Sequence, residues 1–457
     1  MVGLNGALSI ASQALQAQYA GLAITNNNIA NANTPGYSRQ IVTLSSTAVV
    51  QNGTSTGTGV AYMGYTSVRS SVLNMAINDK TSSQASLAAQ SSVLTQVNGA
   101  FSNTASGIGA SMSSLFSSLS ALSTNPTDSS ARQAVLTSAN SLVNAFHQAG
   151  AAMSSATSSA NQQVVSTVAQ INQLTTQIAS LNGELAQAGA SGSDGGALQD
   201  QRDQLTSQLA TLTGVSSTDT ETTPTLTTMN GSPLVVGNSA SKLQVTTGAD
   251  GTAHVLDASG ADITASMTGG TLGGVLTVRD KTLPTLAGYL NNIATQFTNA
   301  MNSAQAAGKD LNGGPGAALF SIPAGSTNPA ASMTINMTDP RGIAVSSDGS
   351  AGSSGNLANL LAVQTSTLPS SQATPGDSYS NLVYNVGAAG AQVSSDLSAT
   401  SASLTQLTAQ RDSQSGVSID EESTNLIRFQ QGYQAAARVI STLSDCYSIL
   451  MNMGSGS

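Results

Sequence analysis

The chain has 457 residues, 13 of them basic and 22 acidic, for a net charge of −9; charged residues make up only 8% of it, aromatics 3%, and tryptophan is absent. An acidic chain without basic runs argues against nucleic acid as a partner, and the scarcity of aromatics argues against an aromatic-lined ligand pocket. Cys446 is the single cysteine, which excludes an intramolecular disulfide.

Length alone suggests roughly two to four domains of about 150 residues each. No stretch reaches the ~18 consecutive apolar residues of a membrane span. "MVGLNGALSIASQ" lacks a basic leading region and a clean cleavage site, so no cleaved secretory signal is expected there.

Leu4, Leu8, Ala11, Leu15, Gln18, Leu22, Thr25 and Ile29 alternate by four and three, and Leu8, Leu15, Leu22 and Ile29 recur every seven residues. That is the seam of a helix packed on a helix. "NNNIANANTPGY" follows, and "RQIVTL" reads as a strand. Arg69 to about Gly189 reads helical, with breaks near Gly107–Gly109 and Asn125-Pro126. Ile171, Leu174, Ile178, Leu181 and Leu185 mark another seam. "LQDQRDQLTSQLATLTG" predicts an amphipathic helix with Gly214 as its C-cap.

From about Val215 to Val278, Thr, Val and Gly dominate. Turn signals at Asn230-Gly231 and Asp250-Gly251 separate the short strands "SPLVVGN", "KLQVTT" and "TAHVLD". Helix is expected again from about Leu283 to Ala306, then a loop from Asn312 to Asn356 with a strand at "SMTINM". A further helix runs from about Asn381 to Gln414.

Near the other end, Leu426, Phe429, Tyr433, Ala436, Ile440, Leu443, Tyr447 and Leu450 alternate by three and four. Ser418 is placed to cap this helix, with Glu421 in the capping-box position and Asp420 and Glu422 adding first-turn charge. The organisation is nested. The predicted fold is mainly α with a β insertion: paired N- and C-terminal helices forming a coiled coil (1–60 plus 415–457), a helical-bundle middle domain (61–214 plus 279–414), and a small outer β domain (215–278). The alternative is two unrelated surface helices packed on the middle domain, which would leave the matching seams unexplained.

"NNNIANANTPGYSRQ" together with "SGVSIDEESTNLIRFQQGYQAAARVISTLSDCYSILMNM" resembles the two terminal signatures of the flagellar axial proteins, the rod and hook family. The run Gly36-Tyr37-Ser38-Arg39-Gln40, "LQDQRDQLTSQL" and "GKDLNGGPGAALF" are similar to the hook-associated branch of that family. The resemblance implies a structural protein at the junction between hook and filament, or alternatively a hook or distal-rod protein. It implies a ring-like assembly of copies of itself, with the hook protein and hook-associated protein 3 as neighbours and a cytosolic export chaperone on the C-terminal helix. Nucleic acid, membrane and cofactor are not expected. It also implies an extracellular place, reached through the flagellar type III apparatus without signal cleavage.

Within this frame the seam residues expected to matter are Leu8, Leu15, Leu22, Ile29, Leu426, Phe429, Tyr433, Ile440, Leu443, Tyr447 and Leu450. The turn motif is Asn26, Asn31, Asn33, Pro35, Gly36 and Tyr37. Asparagine is a poor residue inside a helix. Its uncharged donors and acceptors suit lateral bonds between identical subunits, and it tolerates the left-handed conformation at a helix end. A plain Asn-rich cap is the simpler alternative, although a cap needs one Asn. Pro35-Gly36 fits the middle of a type II turn.

Enzyme readings are thin. "GTSTG" at 53–57 matches a nucleophile elbow in pattern, but no helical pattern follows it. "SDGG" near Asp194 and "SDGS" near Asp348 lack the alternating carboxylates of a calcium loop and read as turns.

Overall fold

The computed structural model describes residues 2–51, 54–101, 106–190, 195–218 and 225–454. Helix α1 (Val2–Ala30) leads into a long antiparallel hairpin, β1 (Gln40–Gln51) and β2 (Thr54–Ser67). Its register slips twice, leaving Met63 and Thr58 as extra residues on β2. Such bulges raise local twist, and the hairpin packs along α1. A sequence boundary at residue 60 would fall inside β2. Three helices follow, α2 (Ser71–Phe101), α3 (Ile108–Leu122) and α4 (Ser129–Ala190). The expected breaks between them are present. α4 has 62 residues, a rod of about 93 Å at 1.5 Å per residue.

α5 (Gly196–Leu212) ends differently from expectation. Its C-cap is Thr213 in an extended conformation, and Gly214 is not left-handed. Gly214 serves close approach instead, since a Cβ there would meet Met229 and Gly269. The β segment comprises β3 (Val215–Thr218), β4 (Thr225–Thr228), β5 (Pro233–Val236) and β6 (Ser239–Ala240) in one antiparallel sheet, and the hairpin β7 (Gln244–Thr247) and β8 (Ala253–Leu256).

Helix resumes at Gly270, in α6 (Gly270–Thr277), earlier than the expected Leu283. Four nearby glycines disguise this helix as a loop. Gly274 is there for contact: a Cβ would stand 2.1 Å from the Ser86 carbonyl oxygen on α2. A π-helical turn, Val278–Thr282, joins α6 to α7 (Leu283–Ala306). Beyond it lie β9 (Phe320–Ser321), α8 (Pro329–Ser332), β10 (Thr334–Ile335), α9 (Leu357–Ala362), α10 (Pro375–Ser415) and α11 (Ile419–Gly454).

Two buried clusters share α4. The first joins α3, the leading half of α4, α7 and α9 around Leu115, Phe146, Phe297 and Phe320. The second joins the trailing half of α4 to α5, α6 and the β segment around Val164, Ile171, Leu209, Leu234 and Val255. The β segment therefore roofs the end of α4, and α6 lies under α2.

Arg132, 1% exposed, ties the start of α4 to a loop more than two hundred residues away. It donates to the carbonyls of Pro126 (2.7 Å), Ile343 (2.8 Å) and Pro340 (3.3 Å). Burial holds its guanidinium below the ordinary arginine value, with Asp310 opposing. Arg132→Met keeps the bulk and strands these acceptors. An unsatisfied buried polar group costs about 1–3 kcal/mol, so we expect a loss of roughly 2–3 kcal/mol, read as a lower melting temperature by circular dichroism.

Candidate assembly interface

α1 and α11 lie side by side and antiparallel. The contact is closest where side chains are smallest: a Cβ on Gly21 would fall 2.5 Å from the Phe429 ring, and one on Gly432 would fall 2.6 Å from Gln18 Oε1. Ala11, Ala17, Gly21, Ile24, Thr25 and Asn28 are buried on α1, as are Glu422 and Ala436 on α11. Leu15, Leu22, Ile29, Leu426, Phe429, Tyr433, Ile440 and Leu443 are half-buried. Leu8, Tyr447 and Leu450, assigned to the seam from spacing, are 42%, 51% and 58% exposed. The seam thus runs from Asn28 and Glu422 outward and loses its cover along the chain.

Asn28 closes the inner end. Its Oδ1 accepts from the Tyr37 hydroxyl (2.8 Å) and the Gln40 amide (3.0 Å). Its Nδ2 donates to the Gln40 carbonyl (2.8 Å) and to Glu422 Oε2 (3.2 Å). All four hydrogen-bonding positions of the amide are therefore used, and the side chain holds the first residue of β1 as a neighbouring strand would. Arg39 Nε donates to Glu422 Oε1 (2.8 Å), and its Nη1 stands 2.8 Å from Glu421 Oε2. The Arg39 amide donates to the Ser415 carbonyl (3.0 Å), and the Arg39 carbonyl accepts from Val68 (2.8 Å). The links from α1 to β1, from β2 to α2 and from α10 to α11 are brought together here.

A second cluster continues from the first. Ser38 Oγ donates to Asp200 Oδ1 (2.8 Å), which also accepts from Arg69 Nη2 (2.7 Å). Asn74 donates to Asp203 (3.2 Å). The turn before β1, the link from β2 into α2, and α5 are joined by these side chains, beside a cavity of ≈ 680 Å³.

Within one chain the asparagine run is partly engaged. Asn28 is buried in the hub. Asn31 Nδ2 donates to Asn27 Oδ1 (2.7 Å), and Asn27 Nδ2 reaches Gln40 Oε1 (3.4 Å). Asn26 and Asn33 are exposed. None of them is left-handed. Only Gly36 is, at φ 81°, with the Tyr37 amide donating to the Thr34 carbonyl across Pro35-Gly36, as in a type II turn. Likewise Glu421 pairs with Arg39 rather than folding back on Ser418. In the sequence Asn28 stands within the asparagine run, Arg39 and Gln40 within a resembling run and Glu422 as first-turn charge, but nothing there joins the four into a hub. The stripe Ala17, Gly21, Ile24 and Asn28, at intervals of four and three, was the available signal.

Burial, aided by Asp200 and Glu422, raises the Tyr37 phenol to about 12. A raised folded value means that its contribution is complete below pH ~10, the unfolded value, and is lost as pH rises from there through about 12. Alkaline titration should release the terminal helices in that window, and Tyr37→Phe should remove the pH-dependent release from that window while the tyrosinate absorbance of the other eight tyrosines persists.

Asp348 sits in a bend and accepts from Ser346 and Ser350; Gly53 and Asp194 lie outside the described residues. "TSTG" starts a strand with no helix behind it. Among the described residues no group of three His, Cys, Asp or Glu could hold a metal ion, and no helix is long and apolar enough to cross a membrane. Cys446 is exposed on α11, and His147 and His254 lie elsewhere, on α4 and β8. Cys446→Ser should leave motility unchanged in reducing and oxidising media; a defect would assign the thiol a task.

Residues 94–320 match the flagellar hook-associated protein FlgK helical domain. Residues 409–453 match the C-terminal region of the flagellar basal body rod FlgEFG proteins, and residues 8–37 the flagella basal body rod protein family. Both terminal helices, paired here, thus carry sequence that matches the flagellar axial proteins, and the chain is a component of the flagellum. Flagellar hook-associated protein 1 of Bacillus subtilis is 28% identical, over 98% of each chain. Its counterparts in Salmonella typhimurium and Escherichia coli are each 27% identical, over 98% of this chain and 100% of theirs. A solved structure, the flagellar hook junction protein FlgK from Burkholderia pseudomallei, shares the fold at a TM-score of 0.68 and 18% identity, over 74% of this chain and 100% of that one. Along nearly its whole length the chain is thus similar to flagellar hook-associated proteins 1, with a match to the FlgK helical domain at its centre, and it is a structural component of the flagellum.

Proposed function

We propose that the chain forms the junction between hook and filament and is required for filament assembly, as a structural rather than a catalytic protein. The carrying observation is the pairing of two ends 394 residues apart at Asn28 and Glu422, in a chain similar along 98% of its length to hook-associated proteins 1. In this reading 1–60 with 415–457 forms the inner tube, and the hairpin out to Ser67 travels with it. Residues 61–214 with 279–414 form the next shell, and 215–278 faces outward.

Copies of the chain form a ring between the hook protein on one side and hook-associated protein 3 on the other. Export runs through the flagellar type III apparatus without cleavage, to an extracellular place. A cytosolic chaperone holds α11 before export, which suits a helix whose apolar end is exposed. The test is electron microscopy of cells lacking the protein. Intact hooks without filaments, with filament subunits shed into the medium, are expected. Missing hooks would assign the chain to the hook or distal rod instead.

A further inference from the structure

Two uncharged surfaces of the terminal module face solvent at different heights. The first is a trough of ≈ 710 Å³ between α1 and the hairpin. Gln13, Tyr19, Ala23 and Asn27 line one wall, and Val60 and Tyr62 the other. Tyr19 is 65% exposed and Tyr62 44%. The second is the far end of α11, where Tyr447, Ile449, Leu450, Met451 and Met453 are all more than half exposed. Single exposed apolar residues are ordinary, but a contiguous group marks a contact site.

The two surfaces cannot meet within one chain. Gly21 lies against Phe429, Gln18 against Gly432 and Asn28 against Glu422, one fixed antiparallel register. Carried along α11, it sets Gln13 level with Ala437. Ile449 is then about 18 Å farther along the helix axis at 1.5 Å per residue, directed away from the trough. A continuous helix does not fold back over that distance.

The chemistry of both surfaces is matched and unusual for a −9 chain. The first 68 residues carry one charged side chain, Arg39, which Glu421 and Glu422 neutralise; after Asp445, α11 carries none. A solvated surface of this size ordinarily carries charges of both signs. Without them, copies stack with no like-charge repulsion and no carboxylate to desolvate.

We propose that residues 447–453 of one copy seat in the α1–hairpin trough of a second copy. The contact is heterologous, since the two patches differ, so each copy both gives a tip and receives one. Contacts of this kind propagate into rings or helical arrays rather than closing as a dimer. The proposal rests on the reading of the chain as a self-assembling flagellar component, and names the segment and the receptor.

The test is cross-linking in flagella isolated from cells that make two differently tagged copies, both carrying Cys446→Ser. One copy carries Leu450→Cys and the other Tyr19→Cys; mild oxidation should yield a disulfide dimer bearing both tags. Its yield should exceed at least tenfold that of a control pair in which Ser398→Cys, exposed on α10, replaces Tyr19→Cys. A second pair, Met453→Cys with Tyr62→Cys, guards against a local folding defect in the first. Control-level yield from both pairs overturns the proposal. So does an intramolecular disulfide in a single dilute chain carrying both Leu450→Cys and Tyr19→Cys. Hooks that keep their filaments without the protein would instead remove the junction reading, and leave the cross-link pattern to be judged by itself.

Discussion

Arg39→Ala should free the terminal helices from the body while both buried clusters stay folded. Glu422 is 2% exposed, and Arg39 Nε at 2.8 Å is the cation that compensates it. Removing one member of a buried pair leaves an unpaired charge and costs about 3–5 kcal/mol. The bond to Glu421, whose side chain is 62% exposed, adds little, since exposed pairs contribute about 0–1 kcal/mol. The loss falls at one place because the links from α1 to β1, from β2 to α2 and from α10 to α11 are brought together at Arg39. Amide exchange in residues 7–29 and 425–443 should accelerate strongly, with α3, α4 and α7 unchanged. A second substitution gives the sign: Glu422→Gln in the Arg39→Ala background removes the stranded charge and should recover much of the protection. Unchanged exchange in Arg39→Ala would show that packing at Gly21 and Phe429 suffices without the ion pair.

Ile440→Asp should abolish filament attachment, whereas Ser441→Asp should not. Ile440 is half-buried on the inner side of α11, and Ser441 is exposed. Burying such an aliphatic side chain fully is worth about 1.5–3 kcal/mol; half-buried, it sits at the lower end, and the carboxylate adds its desolvation. One chain would tolerate that sum, but an assembly meets it in every copy. Filament counts on cells carrying each variant, with circular dichroism of the purified chains, separate assembly from folding. Equal tolerance of both substitutions would refute the seam. Retention of Ile440→Asp in the cytosol would move its role to export.

The elements that could be read in the sequence were those whose signal is local and periodic. The terminal helices, the breaks around α3, and the turns at Asn230-Gly231 and Asp250-Gly251 all follow from spacing and turn chemistry; Gly231 and Gly251 are left-handed. α6 escaped because its glycines serve contact with α2, and contact at a distance has no local pattern. Arg279 escaped for the same reason. It turns inward from the π-helical segment to bond Asn161 and the Ala253 carbonyl. Nor can spacing show that Arg39 meets Glu422, 383 positions on. The seam was legible as a stripe, but its depth was not, because the bulged hairpin and the glycine contacts turn α1 so that Ala17, Ile24 and Asn28 are buried while Leu8 is exposed.

The near-absence of charge along α1, the hairpin and the end of α11 decides how such contacts answer to the surrounding water. Ions act on exposed charges over a Debye length of about 8 Å at physiological ionic strength, and these surfaces offer almost none to screen. Contacts built from them should keep their strength from fresh water to brine. Salts excluded from protein surfaces, such as sulfate, should tighten them, and cold should loosen them, because apolar burial weakens on cooling. For an appendage outside the cell, where salinity is set by the habitat and not by the cytoplasm, an interface indifferent to ionic strength keeps its shape wherever the cell swims.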